Sequence, residues 1–234
     1  PYKQNIFALK KLGVTDILSV SACGSLREDL APGDFVLVDQ FIDRTYLRDK
    51  SFFGKGCVAH VSLAHPTCNK FSDIILKIGK KLNIKIVSGG TYMTMEGPQF
   101  STLAESKLYK ENWKCDVIGM TNMPEAKLAK EAEICYVSLS MVTDFDCWHP
   151  DHDSVEVSDI IETLTNNSSK AQRIVEALPE FLDQDIKFCG AQCSKKSLDN
   201  ALITAPEKRD KDVLEKLDVI LERLNKHSFR KING

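Results

Sequence analysis

The stretch Ser138-Leu139-Ser140-Met141-Val142-Thr143-Asp144-Phe145-Asp146-Cys147-Trp148 decides the fold. It continues an apolar run over residues 134–142. That length and β-branched content predict a strand buried on both faces. The run then breaks into Thr143-Asp144-Phe145-Asp146. In open α/β sheets, ligands bind just past the carboxyl ends of strands. If the chain stays extended, Asp144 and Asp146 point to one side and Phe145 to the other. Two neighbouring carboxylates repel, which favours keeping a proton on one of them near neutral pH. Such a pair offers one acid and one acceptor to the same flat ligand. Two other readings compete. Strand-end aspartates often only cap a turn. Asp-x-Asp can also hold a divalent cation through its oxygens, and Cys147, His149 and His152 follow closely. Their Cys-x-His-x-x-His spacing matches no standard zinc signature, so no metal is expected.

Working outward, residues 14–20 read as a strand that ends in Ser21-Ala22-Cys23-Gly24. Small residues there let backbone approach a ligand, and free N–H groups suit an anion; a plain turn is the simpler reading. Pro32-Gly33-Asp34 is a turn, and residues 35–39 form a second strand. Residues 44–59, with Gly54 and Gly56, read as a long surface loop, a frequent location of function. His60 and His65 follow it; a single histidine is more often structural than catalytic. Residues 66–82 have helical spacing, with Thr67 as the cap. Residues 84–95 are strand-like, interrupted by Gly89-Gly90. A turn at Glu96-Gly97-Pro98-Gln99-Phe100 precedes a helix over 101–109. Val117-Ile118 is a short strand, and Pro124 opens a helix over 125–132.

Residues 159–178 form a long amphipathic helix, and 181–203 read as helical with breaks. Strands alternating with helices predict a three-layer αβα fold with a central mixed sheet. Residues 1–205 read as one domain. Val213, Leu217, Ile220 and Leu224 then predict a separate amphipathic helix within 206–234. It could pack on the domain, pair with another copy, or extend freely.

The 234 residues are 43% hydrophobic and 27% charged, enough for one sizeable core. A net charge of −2 argues against a broad nucleic-acid surface, and no apolar run reaches membrane-spanning length. The eight cysteines are scattered and read as reduced thiols of a cytoplasmic protein. Cys189 and Cys193 are four apart and could form a packing pair on a helix face. Asn166-Asn167-Ser168 is formally a glycosylation acceptor, of little weight without secretory context. The chain opens at Pro1 in mid-pattern. Residues 2–12 read as the end of a helix begun earlier, stopped by Gly13.

Four strand-end stretches carry a more specific message: Ser21-Ala22-Cys23-Gly24, Glu96-Gly97-Pro98-Gln99-Phe100, Gly119-Met120-Thr121 and Thr143-Asp144-Phe145-Asp146-Cys147-Trp148. Together they resemble the trimeric purine nucleoside phosphorylase family, most closely its 5′-methylthioadenosine branch. Residues 22–28, Asp39-Gln40-Phe41-Ile42-Asp43-Arg44-Thr45 and Leu128-Ala129-Lys130-Glu131-Ala132 add to the likeness, which runs from about residue 5 to residue 178.

That resemblance implies phosphorolysis. Phosphate displaces adenine from C1′ of 5′-methylthioadenosine, giving adenine and 5-methylthioribose 1-phosphate. It implies phosphate at Ser21, Ala22 and Thr121. The base would meet Cys23, Gly24, Phe100, Asp144 and Asp146, and the ribose Met120. His60, Val157 and Ile160 would shape the 5′-methylthio pocket, often completed by a neighbouring subunit. Asp144 would donate to the purine N7 and Asp146 accept from the 6-amino group. Inorganic phosphate would be co-substrate, with no cofactor and no metal. The resemblance also implies a homotrimer, in the cytoplasm with the nucleus as a second compartment.

The sequence departs from the family pattern in places. Ser21 stands where Thr is common, which keeps the hydroxyl. The family's amino-terminal strand, its small-residue phosphate loop and a downstream Arg-His segment are not in these residues, which would leave the phosphate site incomplete. Residues beyond about 205 match nothing clear. The competing functions are a general purine nucleoside phosphorylase and a nucleoside-binding chain without catalysis.

Overall fold

The structure is a computed structural model that describes residues 1–150, 157–182, 189–190 and 193–225, without the side chains of 157–159. Helix α1 (Tyr2–Lys11) leads into β1 (Asp16–Ser25). Strands β2 (Phe35–Val38) and β3 (Gln40–Asp43) follow, then helix α2 (Asn69–Leu82). Strands β4 (Ile86–Ser88) and β5 (Thr91–Thr94) precede α3 (Leu103–Lys107), β6 (Val117–Gly119) and α4 (Glu125–Glu131). The predicted buried strand is β7 (Cys135–Asp144); helices α5 (Val157–Phe181) and α6 (Lys211–Lys216) complete the order.

Among the described residues, seven strands form one mixed sheet in the order β3-β5-β6-β1-β7-β2-β4. β7 lies inside the sheet between β1 and β2 and is buried on both faces. Ile134 and Tyr136 join a cluster with Ile6 of α1 and Ala126, Leu128 and Ala129 of α4. Cys135, Val137, Leu139 and Met141 alternate with them into a cluster with Phe71, Ile75 and Ile78 of α2 and Ile174 of α5. This period of two sorts the strand between two helical layers, as the predicted three-layer αβα fold requires.

The sheet also curls. β2 and β3 are separated only by Asp39, yet they lie toward opposite ends of the strand order. β4 and β5 repeat the arrangement, each parallel to its counterpart. The joint is Gly89-Gly90, with φ of +83° and +134°. Gly90 receives bonds on its carbonyl from the N–H groups of Asp39 and Gln40, at 3.1 and 3.3 Å. Two bent strands thus run from one end of the sheet to the other, a path that only a curled sheet allows.

Several local expectations change. Cys68, not Thr67, stands at the start of α2, and Asn83 closes it in the left-handed conformation. The helix predicted over 101–109 is α3 followed by one π-helical turn, Leu108–Asn112. Its start is a capping box between Thr102 and Glu105, a Thr-x-x-Glu signal that was present in the sequence. Residues 44–59 are not a loose surface loop, since Thr45, Phe53 and Cys57 are buried. The predicted helix through Val213 and Leu224 is interrupted: α6 ends at Lys216, residues 217–221 form turns, and helical geometry resumes over 222–225. The Asp218 carboxylate accepts from the N–H of Val219 at 2.6 Å, which competes with the helical ladder. Leu217, Ile220 and Leu221 nevertheless bury into the cluster of α1 and α4. Of the reading over 181–203, the described part is turns and one 3-10 segment, Ser194–Lys196.

Among the described residues, no helix is long and apolar enough to cross a membrane.

Candidate active site

The strand predicted over 14–20 runs on to Ser25, so Ser21-Ala22-Cys23-Gly24 lies within β1, its backbone paired with β7 instead of ending in a free loop. It meets the stretches that follow β5, β6 and β7, with β6 antiparallel to β1. β1 and β7 pair in parallel from Asp16↔Cys135 to Cys23↔Val142. The register then slips, so that Gly24 faces Asp144 and Thr143 is the extra residue. This bulge aims Asp144 at Gly24, where a Cβ atom would stand 2.7 Å from Asp144 Oδ1. Glycine is required by that close approach.

After Asp144 the chain does not stay extended. Asp146 enters a 3-10 turn, Asp146–Trp148, with φ +51°. Its N–H donates to Asp144 Oδ1 at 2.8 Å, and the Thr143 hydroxyl donates to Asp144 Oδ2 at 2.7 Å. The Asp146 carboxylate is almost fully buried and accepts from Ser106 Oγ at 2.5 Å. Burial raises its pKa above the ordinary carboxylate value, and the nearby Asp144 charge adds to the effect; the Ser106 bond opposes both. The two carboxylates therefore touch through backbone instead of lying side by side on a strand. Burial, with a contribution from Asp144, also raises the Cys23 thiol.

Opposite them lies a relay of hydroxyls. Thr121 Oγ1 donates to Ser21 Oγ at 2.9 Å, and Tyr92 Oη lies 2.9 Å from Thr121 Oγ1. Thr94 Oγ1 donates to the Thr121 carbonyl at 3.0 Å. Ser21 and Thr121, 100 residues apart, thus meet as the resemblance implied. Ala22 sits between Ser21 and Cys23 on β1, its carbonyl 3.3 Å from where a Gly119 Cβ would stand. Met120 packs over Gly97, and Phe100 is about half exposed at the edge of the cluster.

Arg48 fixes the loops that carry these groups. Its Nε bonds Glu96 Oε1 at 3.1 Å, and its other nitrogens donate to the carbonyls of Met120 at 2.9 Å, Met123 at 2.6 Å and Glu96 at 3.0 Å. The sequence reading missed Arg48, Tyr92 and Ser106. No short motif marks them, because each matters through partners far away in the chain.

Other candidates fall elsewhere. His60 lines a groove with His65, Lys130, Cys193 and Lys196, which holds none of the strand-end residues. Ile160 is half-buried near the start of α5, and the Val157 side chain is outside the described residues. Cys147 donates to the Ser101 carbonyl at 3.4 Å and His149 stacks on Phe145, so the two turn to different partners; His152 lies outside the described residues.

A curled mixed sheet with carboxylates, small residues and hydroxyls at its strand ends is the architecture of a nucleoside-processing α/β enzyme. The sequence signature of the phosphorylase superfamily matches residues 2–180. The S-methyl-5′-thioadenosine phosphorylase of Cereibacter sphaeroides is 59% identical over 97% of this chain and 77% of its own. That of Bradyrhizobium diazoefficiens is 56% identical over 95% and 76%. A methylthioadenosine phosphorylase structure from an antarctic soil metagenomic library superimposes with TM-score 0.87 at 43% identity, covering 94% of this chain and 77% of that one. The Schistosoma mansoni methylthioadenosine phosphorylase in complex with adenine gives 0.73 at 36% identity, covering 76% and 70%. The chain belongs to the phosphorylase superfamily, in its S-methyl-5′-thioadenosine phosphorylase family.

Proposed function

We propose that the chain catalyses phosphorolysis of 5′-methylthioadenosine to adenine and 5-methylthioribose 1-phosphate. The observation that carries this is the pairing of a hydroxyl relay, Tyr92–Thr121–Ser21, with the Asp144–Asp146 turn across the same strand ends. Phosphate held by Ser21, Ala22 and Thr121 attacks C1′ from below the sugar. The new bond joins phosphate oxygen to C1′ while the C1′–N9 pair leaves with adenine. Positive charge develops on the sugar and is stabilised by the phosphate. Negative charge develops on the base and is relieved at N7 by Asp144, which first takes up a proton from solvent, since both its oxygens accept bonds from Thr143 and Asp146 in the free chain. Asp146 accepts from the 6-amino group, which an ionised carboxylate can do and to which it cannot donate in return. Cys23, Gly24 and Phe100 hold the base, and Met120 lies along the ribose.

Phosphate as co-substrate, with no metal or organic cofactor in the chemistry, belongs to the same proposal. So does a homotrimer. His60 is exposed within one chain and away from the strand-end cluster, so a neighbouring copy would bring it to the 5′ position beside Val157 and Ile160. Residues 1–205 form the catalytic body, and Leu217, Ile220 and Leu221 brace it. The reduced cysteines favour the cytoplasm, with the nucleus as a second compartment.

The deciding measurement is adenine release from methylthioadenosine with and without phosphate. Release only with phosphate, together with methylthioribose 1-phosphate, is the expected result. Binding without release would leave a nucleoside-binding chain, and phosphate-independent release would mean hydrolysis.

A further inference from the structure

Four sulfurs converge at the end of β7 opposite to the strand-end site. Cys68 precedes α2, Cys135 opens β7, and Cys189 and Cys193 follow α5. The Sγ atoms of Cys68, Cys135 and Cys189 all lie within 4.8 Å of one another, and Cys193 stands beside this group, near Cys135 and Cys189 but farther from Cys68. Cys135 is 3.5 Å from Cys189 and 3.9 Å from Cys193, and Cys189 is 2.8 Å from Cys193.

Four thiolates bound tetrahedrally to zinc at about 2.3 Å stand about 3.8 Å apart. The two Cys135 separations already match that edge. To complete that geometry the Cys189–Cys193 pair opens by about 1 Å and Cys193 closes on Cys68. A disulfide needs about 2.05 Å, and none of these pairs is bonded. The ligands come from three separate parts of the chain, as in a site that closes on folding.

The surroundings suit the charge. A zinc tetrathiolate carries a net charge of −2. Lys130, buried and donating to the His65 carbonyl at 3.1 Å, interacts electrostatically with all four sulfurs. Lys195, paired with Asp16 at 3.1 Å, interacts with Cys135 and Cys193. Cys193 also lines the groove that contains His60 and His65, which gives an ion a path inward.

We propose that Cys68, Cys135, Cys189 and Cys193 bind one zinc ion as a structural site. It ties α2 and the start of β7 to the segment after α5. Each thiol gives its proton to solvent as its sulfur becomes a thiolate ligand, and no electrons are transferred. The ten-residue strand β7 separates Cys135 from Asp144, a span of roughly 30 Å at about 3.3 Å per residue. The ion therefore has no part in phosphorolysis.

The test is titration of the reduced, metal-free full chain with Zn²⁺ and with Co²⁺ as a spectroscopic probe. The expected result is one equivalent per chain, a near-ultraviolet thiolate-to-cobalt charge-transfer band, tetrahedral d–d bands, and a higher Tm with zinc. Cys189→Ser, at a half-buried position outside regular structure, should weaken binding by about a hundredfold while the chain still melts cooperatively. Cys68→Ser should do the same. Absence of the cobalt–thiolate band in the wild-type chain with all eight thiols reduced would overturn the proposal. So would a band that survives unchanged in both variants, since the ion would then sit elsewhere. A Cys189–Cys193 disulfide whose reduction yields no zinc binding would overturn it as well.

Discussion

Tyr92 Oη and Thr121 Oγ1 lie 2.9 Å apart, and Thr121 passes its own proton to Ser21 Oγ at 2.9 Å. Tyr92 is fully buried, and burial raises its pKa so that it stays protonated. It can therefore donate to Thr121, Thr121 to Ser21, and Ser21 outward to an anion. In the proposed mechanism this makes Tyr92 a positioning residue for the phosphate side of the site. Tyr92→Phe should raise KM for phosphate by about three- to tenfold, the scale of one net hydrogen bond, with KM for methylthioadenosine nearly unchanged. Steady-state kinetics with each substrate varied would check it; a rise confined to the nucleoside KM would refute the assignment.

Gly24→Ala tests the bulge. The added Cβ falls 2.7 Å from Asp144 Oδ1, 3.3 Å from Ile118 and 3.4 Å from the Asp146 Cβ. Overpacking costs about 1–3 kcal/mol, so the protein should still fold. The displaced Asp144 should cost about a hundredfold in kcat/KM. Comparable activity in the variant, at wild-type Tm, would show that Asp144 does not need this geometry.

The two aspartates should separate by substrate and by pH. Asp144→Asn should lower turnover of methylthioadenosine by about 10²–10⁴-fold, the range of general acid catalysis, and shift preference toward 6-oxopurine nucleosides. Equal turnover would remove Asp144 from its proposed role. For Asp146, burial raises the folded pKa above 3.8. In the proposed mechanism its ionised form is the acceptor, so kcat/KM should rise with pH through a value above the ordinary carboxylate range. The same shift makes ionisation costly to the fold: this contribution to stability is intact below the unfolded pKa and lost as pH rises through the folded one. Asp146→Asn should remove that acid limb and raise Tm at neutral pH.

Arg48→Ala should be destabilising. The Arg48 side chain is only 8% exposed and pairs with Glu96 while donating to three carbonyls. The pair is part-buried, and leaving Glu96 and the carbonyls without their donor costs about 1–3 kcal/mol. Arg48→Lys should recover little, because an ammonium cannot reproduce the guanidinium fork. Chemical denaturation of both variants would show it; a change below about 1 kcal/mol in Arg48→Ala would contradict the clamp.

Asp43 should govern acid stability. Burial pushes its pKa up, but bonds from Lys127, Thr45 and Lys50 outweigh this and hold it well below 3.8. A depressed folded pKa stabilises above the unfolded value, and that stabilisation is lost as pH falls below it. Tm should therefore drop on acidification below pH about 4, with a shallower slope in Asp43→Asn. Identical slopes would place acid sensitivity elsewhere.

What the sequence determined by itself was local or periodic. The uninterrupted apolar run of β7, the spacing of α2 and α5, and the Pro124 start of α4 are written in neighbouring residues, and composition and period suffice to read them. The strand-end stretches also mark Ser21, Asp144 and Asp146, and the family resemblance adds Thr121. Only the tertiary structure decided the rest. The β1–β7 bulge depends on pairing between strands more than 100 residues apart in sequence, and the curl of the sheet on a bend at Gly89-Gly90. Tyr92, Ser106 and Arg48 gain their roles from partners 29, 40 and up to 75 residues distant. The four sulfurs join the two faces of one problem: 68, 135, 189 and 193 have no periodic relation, and only packing of α2, β7 and the segment after α5 makes them neighbours. Hydrogen bonding and coordination act over about 3 Å, and sequence order carries no record of which distant groups folding brings that close.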